Sequence, residues 1–301
     1  MRWRKLGLVF AANGQFDWMR SHAANPFAIH ESGDQFRIFF STRDAGNRSS
    51  IGWVRIDLST PTNLLEIAKQ PVLTSGAAGY FDDSGTSLAC IVPFEGMHRL
   101  YYVGWNLGTT IPWRNTIGLA SGDALSGAPF IKHSTVPVME RSVEDPFCVS
   151  YPCVLHDAGK WRMWYGTHTA TGPREQDMVH KLRYAESADG IAWVRDPSDI
   201  IPARTASEYA FSRPSVVRDA QGYKMWYSYR STAYRIGYAE SADARVWTRR
   251  DDAVGIDVSS DGWDSESIEY PHVFDHLGAR YMLYNGNGYG KTGFGLAVLE
   301  Q

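Results

Sequence analysis

The chain has 301 residues, 44% of them hydrophobic and 13% aromatic, with a formal net charge of −3. It contains no basic run to follow a phosphate backbone and no apolar segment long enough to span a bilayer, which speaks against nucleic-acid or membrane partners. Its three cysteines, Cys90, Cys148 and Cys153, are odd in number and lack metal-ligand spacing, so they read as reduced core thiols, with no metal and no cofactor expected.

Met1-Arg2-Trp3-Arg4-Lys5, followed by Leu6 to Ala12, imitates a secretory signal, but the apolar stretch is short. Trp3-Arg4-Lys5 instead matches Trp193-Val194-Arg195 and Trp247-Thr248-Arg249, which places it in a repeat, and the expected location is cytoplasmic. The repeat opens at Asn25-Pro26 and leads to Arg37-Ile38-Phe39-Phe40. A degenerate copy runs from Gly85-Thr86 to Arg99-Leu100-Tyr101-Tyr102. Tyr151-Pro152 leads to Arg162-Met163-Trp164-Tyr165, and Arg213-Pro214 to Lys224-Met225-Trp226-Tyr227. The last copy joins Tyr270-Pro271 to Tyr281-Met282-Leu283-Tyr284. Pro152, Pro214 and Pro271 fall 62 and 57 residues apart, and the copies fill the chain.

Each copy carries the same internal order. A Pro at the start of a strand costs no ladder hydrogen bond, and the apolar run after it ends in a polar turn such as Asp219-Ala220-Gln221-Gly222. The aromatic strand follows, then a third strand (Leu182 to Ser187, Arg235 to Ser241), then a turn and a Trp-led fourth strand. Four short strands with large apolar residues on both faces must be sandwiched, and radial stacking of like sheets achieves this. The expected fold is therefore all-β: one five-bladed β-propeller domain over residues 1–301, with four-stranded antiparallel blades. The last copy stops after Phe294 to Leu299, so the stretch from about Arg2 to Phe10 is expected to complete it and close the ring. Most of the 11 Trp are expected between blades.

In such a ring the start of each first strand and the end of each second strand share one mouth. Before the Pro or its equivalent stand Asn25, Asp82 and Asp83, Tyr151, Ser212 and Arg213, and Glu269 and Tyr270. Ending the second strands are Arg43, Trp105 with Asn106, His168, Arg230, and Asn285 with Asn287. The copies agree where the fold needs apolar or turn residues and differ at this mouth, as a site built from quasi-equivalent parts would. Trp105, Trp113, Tyr151, Tyr229, Tyr270 and Tyr289 are placed to stack on a ligand.

The repeated Pro motif, the Ser187-Ala188-Asp189-Gly190-Ile191-Ala192-Trp193 turn, Gly262-Trp263-Asp264-Ser265-Glu266 and Asn285 to Gly290 resemble the five-bladed glycosidase superfamily. That group includes the arabinanase/xylosidase type (glycoside hydrolase family 43), the invertase/levanase type (family 32) and the mannoside-phosphorylase type (family 130). The resemblance implies a carbohydrate-active enzyme that cleaves a glycosidic bond with two carboxyl groups, one donating a proton and one activating water or attacking. It points to Asp83 as general acid or its helper, with Asp82 beside it, and to Glu269 and Glu208 for the second carboxyl. Glu266, Glu144, Asp145 and Asp17 are weaker candidates. Glu186 and Glu240, at identical repeat positions, read as structural.

Asn25 stands where the resemblance expects a catalytic Asp in hydrolases. That favours the phosphorylase pattern, in which phosphate replaces a carboxylate and is held by Arg and His. Arg43, Arg213, Arg230, His168 and Arg114 are available for this, and for an anionic substrate. The alternatives are thus a glycoside phosphorylase or glycosyltransferase on the same scaffold, or a non-catalytic sugar-binding propeller. Asn25, Arg43, Trp105, Tyr151, His168, Arg213, Arg230, Tyr270 and Asn287 are the candidate substrate-binding residues.

Overall fold

Apolar and aromatic residues crowd behind each Pro, and in the computed structural model, which describes residues 1–300, those stretches form the paired strands of an all-β protein. The first strand, β1 (Trp3–Phe10), leads into unit one: β2 (Ser21–Ser32), β3 (Gln35–Arg43), β4 (Ser49–Asp57) and β5 (Leu64–Ile67). Unit two holds β6 (Gly85–Phe94), β7 (Met97–Leu107), β8 (Trp113–Gly122) and β9 (Ile131–Lys132). Unit three holds β10 (Val149–Asp157), β11 (Lys160–Ala170), β12 (Val179–Ser187) and β13 (Val194–Asp196). Unit four holds β14 (Ala210–Asp219), β15 (Gly222–Arg230), β16 (Tyr234–Ser241) and β17 (Thr248–Arg249). The last strands are β18 (Glu269–His276), β19 (Ala279–Asn285) and β20 (Phe294–Leu299).

Within each unit consecutive strands pair antiparallel, and β1 pairs antiparallel with β20, giving the sheet order β1-β20-β19-β18. A single parallel bridge, Ser49 to Gly85, joins units one and two into a larger sheet. The first strands neighbour one another in series: β2 beside β6, β6 beside β10, β10 beside β14 and β14 beside β18. Strand β18 packs beside β2, so the series returns to its start.

The core divides in the same way. One apolar cluster lies between units one and two, around Phe39, Trp53 and Tyr102. The next, around Tyr101, Trp161 and Tyr165, joins two and three, and a third, around Trp164, Tyr184 and Trp247, joins three and four. Trp226, Tyr284 and Trp3 fill the space between unit four and the last sheet. Phe10, Phe40 and Phe294 seal that sheet against unit one. Trp161, Trp164 and Trp226 are fully buried, as expected for rings between sheets. The Ser187 turn is a local hydrogen-bonded clasp. Ser187 Oγ accepts the Gly190 amide (2.8 Å), and Asp189 accepts the Ile191 and Ala192 amides, which pull its pKa down to about 2.

A second clasp recurs in four units. The last aromatic of the second-strand quartet donates its hydroxyl to an Asp that a cation from the fourth strand also holds. Tyr102 reaches Asp82 (3.1 Å) with Lys132 (2.6 Å), and Tyr165 reaches Asp145 (2.9 Å) with Arg195 (2.8 Å). Tyr284 reaches Asp264 (3.0 Å) with Lys5 (2.7 Å). Tyr227 reaches Asp251 (2.7 Å) with Arg249 (2.6 Å), and there Arg249 also grips Glu208. Unit one carries Phe40 at this position and has an apolar contact with Phe10 and Phe294 instead.

Candidate functional site

Five strands reach the mouth of the assembly in equivalent register. Ala24, Ser87, Ser150, Ser212 and Glu269 pair across their hairpins with Ser41, Val103, Gly166, Ser228 and Asn285. Four of the five first-strand positions are small, and the fifth is a carboxyl. Immediately after it, Asn25, Tyr151, Arg213 and Tyr270 precede their prolines at breaks in the strand register. All four have left-handed backbones, with φ of 55°, 41°, 52° and 56°. This conformation is unfavourable before Pro and turns what would be a strand-face side chain toward the centre.

Between these strands lies a cavity of about 320 Å³. Asn25, Ser87, Ser150, Tyr151, Ser212 and Tyr270 line it from the first strands. Arg43, Trp105 and His168 line it from the second strands, and Trp113, His180 and Tyr234 from the third. Glu175 and Tyr289 enter from connections that have no counterpart in the other units. Tyr151 and Tyr270 stack with centroids 5.8 Å apart, and His168 lies flat on His180 at 4.0 Å. Burial drives the pKa of His168 down to about 4, so the imidazole is neutral at physiological pH. Burial, then the charge of Arg43, does the same to His22 on the cavity wall, also to about 4.

Glu175 lines one wall and Glu269 stands directly behind it, the two carboxyl groups joined through a single residue. Glu269, 1% exposed, accepts the Tyr289 amide at 2.7 Å. The Tyr289 hydroxyl donates to Glu175, and Arg230 donates to both Glu175 (3.1 Å) and that hydroxyl. Burial raises the Glu269 carboxyl to about pKa 8, against the opposing effects of the Tyr289 amide and Arg230. At neutral pH Glu269 is therefore protonated, while its neighbour Glu175 lies in the hydrogen-bonding grip of a guanidinium. Two carboxyls in opposed environments are what general acid and base work requires.

No protein-family model matches the chain. Over 300 residues, covering 100% of both chains, it is 50% identical to Uncharacterized protein MT1551 and to Uncharacterized protein Rv1502 of Mycobacterium tuberculosis, strains CDC 1551 / Oshkosh and ATCC 25618 / H37Rv. The chain belongs to their family. Among solved structures, a glycoside hydrolase superposes with a TM-score of 0.77 at 18% identity, covering 99% of this chain and 91% of that one. A member of the GH130 family of mannoside phosphorylases, which contains glycoside hydrolases targeting β-1,2 mannosidic linkages in Candida mannan, superposes at 0.70 with 14% identity, covering 99% and 93%. A thermostable family-43 glycoside hydrolase superposes at 0.68 with 15% identity, covering 92% and 89%. At these identities the shared property is the fold alone.

Of the residues nominated from sequence, Asn25, Arg43, Trp105, Tyr151, His168 and Tyr270 come together around the cavity, and Glu269 stands directly behind its wall. Trp113 and Tyr289 also line it, whereas Tyr229 packs beneath Arg249 at the edge of the core between units three and four. Arg230 is engaged with Glu175. Arg213 is 2% exposed and spends its guanidinium on the carbonyls of Ala89, Asn25 (3.1 Å) and Pro26 (3.2 Å). It therefore pins β14 to β2 and β6 and is spent before it could meet a ligand anion. Asn287 is taken up by its own loop, accepting the Glu266 and Ser267 amides at 2.8 and 3.2 Å. Asp17 pairs with Arg20 at the surface, and Glu266 and Arg114 are exposed and outside the cavity lining.

The acidic pair after Phe81 needs a different reading from the one the sequence suggested. The Gly79 amide, Asn106 and Ser84 hydrogen-bond Asp83 and hold its carboxyl below the usual value, so it is poorly suited to donate a proton. It closes a turn outside the cavity lining. Asp82 is 1% exposed in its clasp with Tyr102 and Lys132. Glu208 meets Arg249 through two hydrogen bonds of 2.7 and 2.9 Å that outweigh burial and keep its pKa low. Asp145, a weaker candidate from sequence, is fully buried between Arg183 and Arg195. Asp82→Asn is expected to cost about 3 kcal/mol of stability in urea titrations, because it leaves Lys132 without its partner. Turnover per folded molecule should not change, and a turnover defect without loss of stability would return Asp82 to the chemistry.

Glu175, His180, His22 and Tyr234 were missed. Glu175 lies in an insertion after β11 that breaks the repeat, and His180 directly follows it, so no periodic comparison brings them to notice. His180 could have been found, since it faces His168 directly across the β11–β12 ladder.

Proposed function

We propose that this protein is a carbohydrate-active enzyme, a five-bladed β-propeller that cleaves a glycosidic bond in the cavity at its mouth. The blade count is supported by the returning series of first strands and by the five inter-unit cores. The chemistry is supported above all by Glu269, a carboxyl held protonated at a position where the other four units carry Ala or Ser.

In this reading Glu269 donates its proton to the departing glycosidic oxygen as the C–O bond breaks. Glu175 takes the second carboxyl role and receives the proton of the water whose oxygen bonds to the sugar carbon. Arg230 and the Tyr289 hydroxyl hold Glu175 in place, and Tyr151, Tyr270, Trp105 and Trp113 offer faces for a sugar ring. Phosphate is not needed in this scheme: Arg213 is occupied by carbonyls, Arg230 by Glu175, and His168 is neutral.

The test is turnover of a panel of nitrophenyl glycosides and unlabelled oligosaccharides, each with and without inorganic phosphate. Phosphate-independent release of free sugar is expected. Release of a sugar phosphate would replace hydrolysis by phosphorolysis, and sugar binding with no product across the panel would overturn the enzymatic reading.

A further inference from the structure

One cation on the cavity lining has no acid to answer it. Arg43, at the end of β3, gives a guanidinium N–H to Asn47 Oδ1 at 3.0 Å and makes no ion pair among the described residues. Asn47 carries no charge, so it orients the fork without neutralising it. Asp44, the next residue along the chain, is turned to Arg48 instead. The remaining nitrogens of the Arg43 fork have no protein partner and are not sealed away from solvent, so they stay open to a ligand.

The neighbours add to this charge and do not cancel it. Arg213, buried beneath the lining, is partnered only by the carbonyls of Ala89, Asn25 and Pro26, which leave its positive charge in place. Burial lowers its pKa to about 10, still well above neutrality. Burial raises the Tyr151 phenol, and the charges of Arg43 and Arg213 oppose that rise, so both are felt at the lining. On the acidic side, Glu175 is matched by Arg230, and Glu269 is protonated at neutral pH. His22, His168 and His180 are all pushed down by burial and carry no charge there. Arg43 and Arg213 are therefore left uncompensated, and only Arg43 can touch a ligand. The ladder puts an aromatic ring beside it. Arg43 pairs across β3 and β4 with Ser49, whose hydroxyl accepts the Trp105 indole N–H at 2.8 Å, and Ser49 and Trp105 both line the cavity.

We infer that Arg43 anchors a carboxylate of the substrate, so that the sugar this cavity takes is an acidic one of the uronic type, its ring laid on Trp105. This rests on the reading of the cavity as a sugar site and names the class of sugar. A planar carboxylate accepts parallel N–H bonds from a guanidinium, and its single charge suits one open fork. A phosphate ester carries nearly twice that charge and would find no second cation to touch, since Arg213 and Arg230 are occupied. A neutral ring would leave the charge of Arg43 unanswered.

The experiment is ligand-observed NMR titration of the intact protein with matched pairs: glucuronate with glucose, galacturonate with galactose and mannuronate with mannose. Glucose 6-phosphate and inorganic phosphate are titrated alongside. At least one uronate should bind about tenfold tighter than its neutral partner, and both phosphates more weakly than that uronate. Arg43→Met removes the charge and a single hydrogen bond to Asn47, so its melting temperature should match that of the wild type. In that variant the uronate should fall to the level of the neutral sugar. No uronate preference in any pair, a preference that survives Arg43→Met, or tighter binding of either phosphate would overturn the inference. Because binding is read without turnover, the two readings fail separately. Cleavage of neutral glycosides with no uronate preference would sink only this one, and Arg43-dependent uronate binding with no product from any glycoside would sink only the enzymatic one.

Discussion

Glu269→Gln is expected to lower turnover by about 10²–10⁴-fold, the usual contribution of a positioned proton donor. Gln keeps the oxygen that accepts the Tyr289 amide and fills the same buried space, so the loss would be of the proton and not of the fold. The pH profile should carry the same signature. With its pKa raised to about 8 by burial, Glu269 is competent as an acid at neutral pH, and turnover should fall as pH rises through about 8. Stability is linked to the same group. Its ordinary value of 4.5 applies to the unfolded chain, so between that pH and about 8 the folded state holds a proton that the unfolded state has released. The stabilising contribution is complete below pH 4.5 and is lost as pH climbs through about 8. The melting temperature of the wild type should therefore decline across this window relative to the Gln variant. Parallel melting curves of the two proteins from pH 4.5 to 8, together with undiminished turnover, would remove Glu269 from the mechanism.

Deleting residues 1–10 is expected to abolish cooperative folding. The lost strand carries Trp3, Val9 and Phe10, all buried, and each such side chain contributes about 1.5–3 kcal/mol by burial. Trp3 packs edge-on against Trp226 with centroids 6.0 Å apart, so the loss reaches into unit four. Lys5 leaves with the strand, and Asp264 is then a buried acid without its cation, a further cost of about 3–5 kcal/mol. Together these amount to about 10 kcal/mol, comparable with the whole stability of an ordinary domain. Circular dichroism and calorimetry of the truncated chain should show no sharp transition at temperatures where the full chain melts. A truncated protein melting within a few degrees of the full chain would mean that β1 is dispensable decoration on β20.

Much of this architecture was legible because a repeat states its rule several times. The prolines, the aromatic quartets and the Trp-led fourth strands marked units three and four plainly, and the likeness of Trp3-Arg4-Lys5 to later fourth strands foretold where β1 pairs. The same likeness held a finer message that went unread. Lys5, Arg195 and Arg249 occupy one position in the repeat because each holds a buried Asp. Asp82, Asp145 and Asp264 each lie 20 residues before the Tyr that completes the clasp, a constant spacing that marks them as structural. Asp82 was drawn toward catalysis because an acid at a strand start looks functional until its fixed distance from a Tyr is noticed. Glu269 could be nominated because it stands just before a strand-opening Pro, at the mouth where the copies differ. Glu175 could not, since the connection that carries it occurs once and has nothing in the chain to be compared with.

The left-handed residues before the prolines have a consequence for how such a protein diversifies. Asn25, Tyr151, Arg213 and Tyr270 share one backbone conformation but carry three different kinds of side chain, so the kink is separate from the chemistry it presents. Apart from Arg213, which pins three strands, each works as a socket whose contents can be exchanged while the sheets around it stay still. A descendant could thus change what the mouth of the assembly presents through a handful of point changes, leaving the aromatic walls between its sheets untouched.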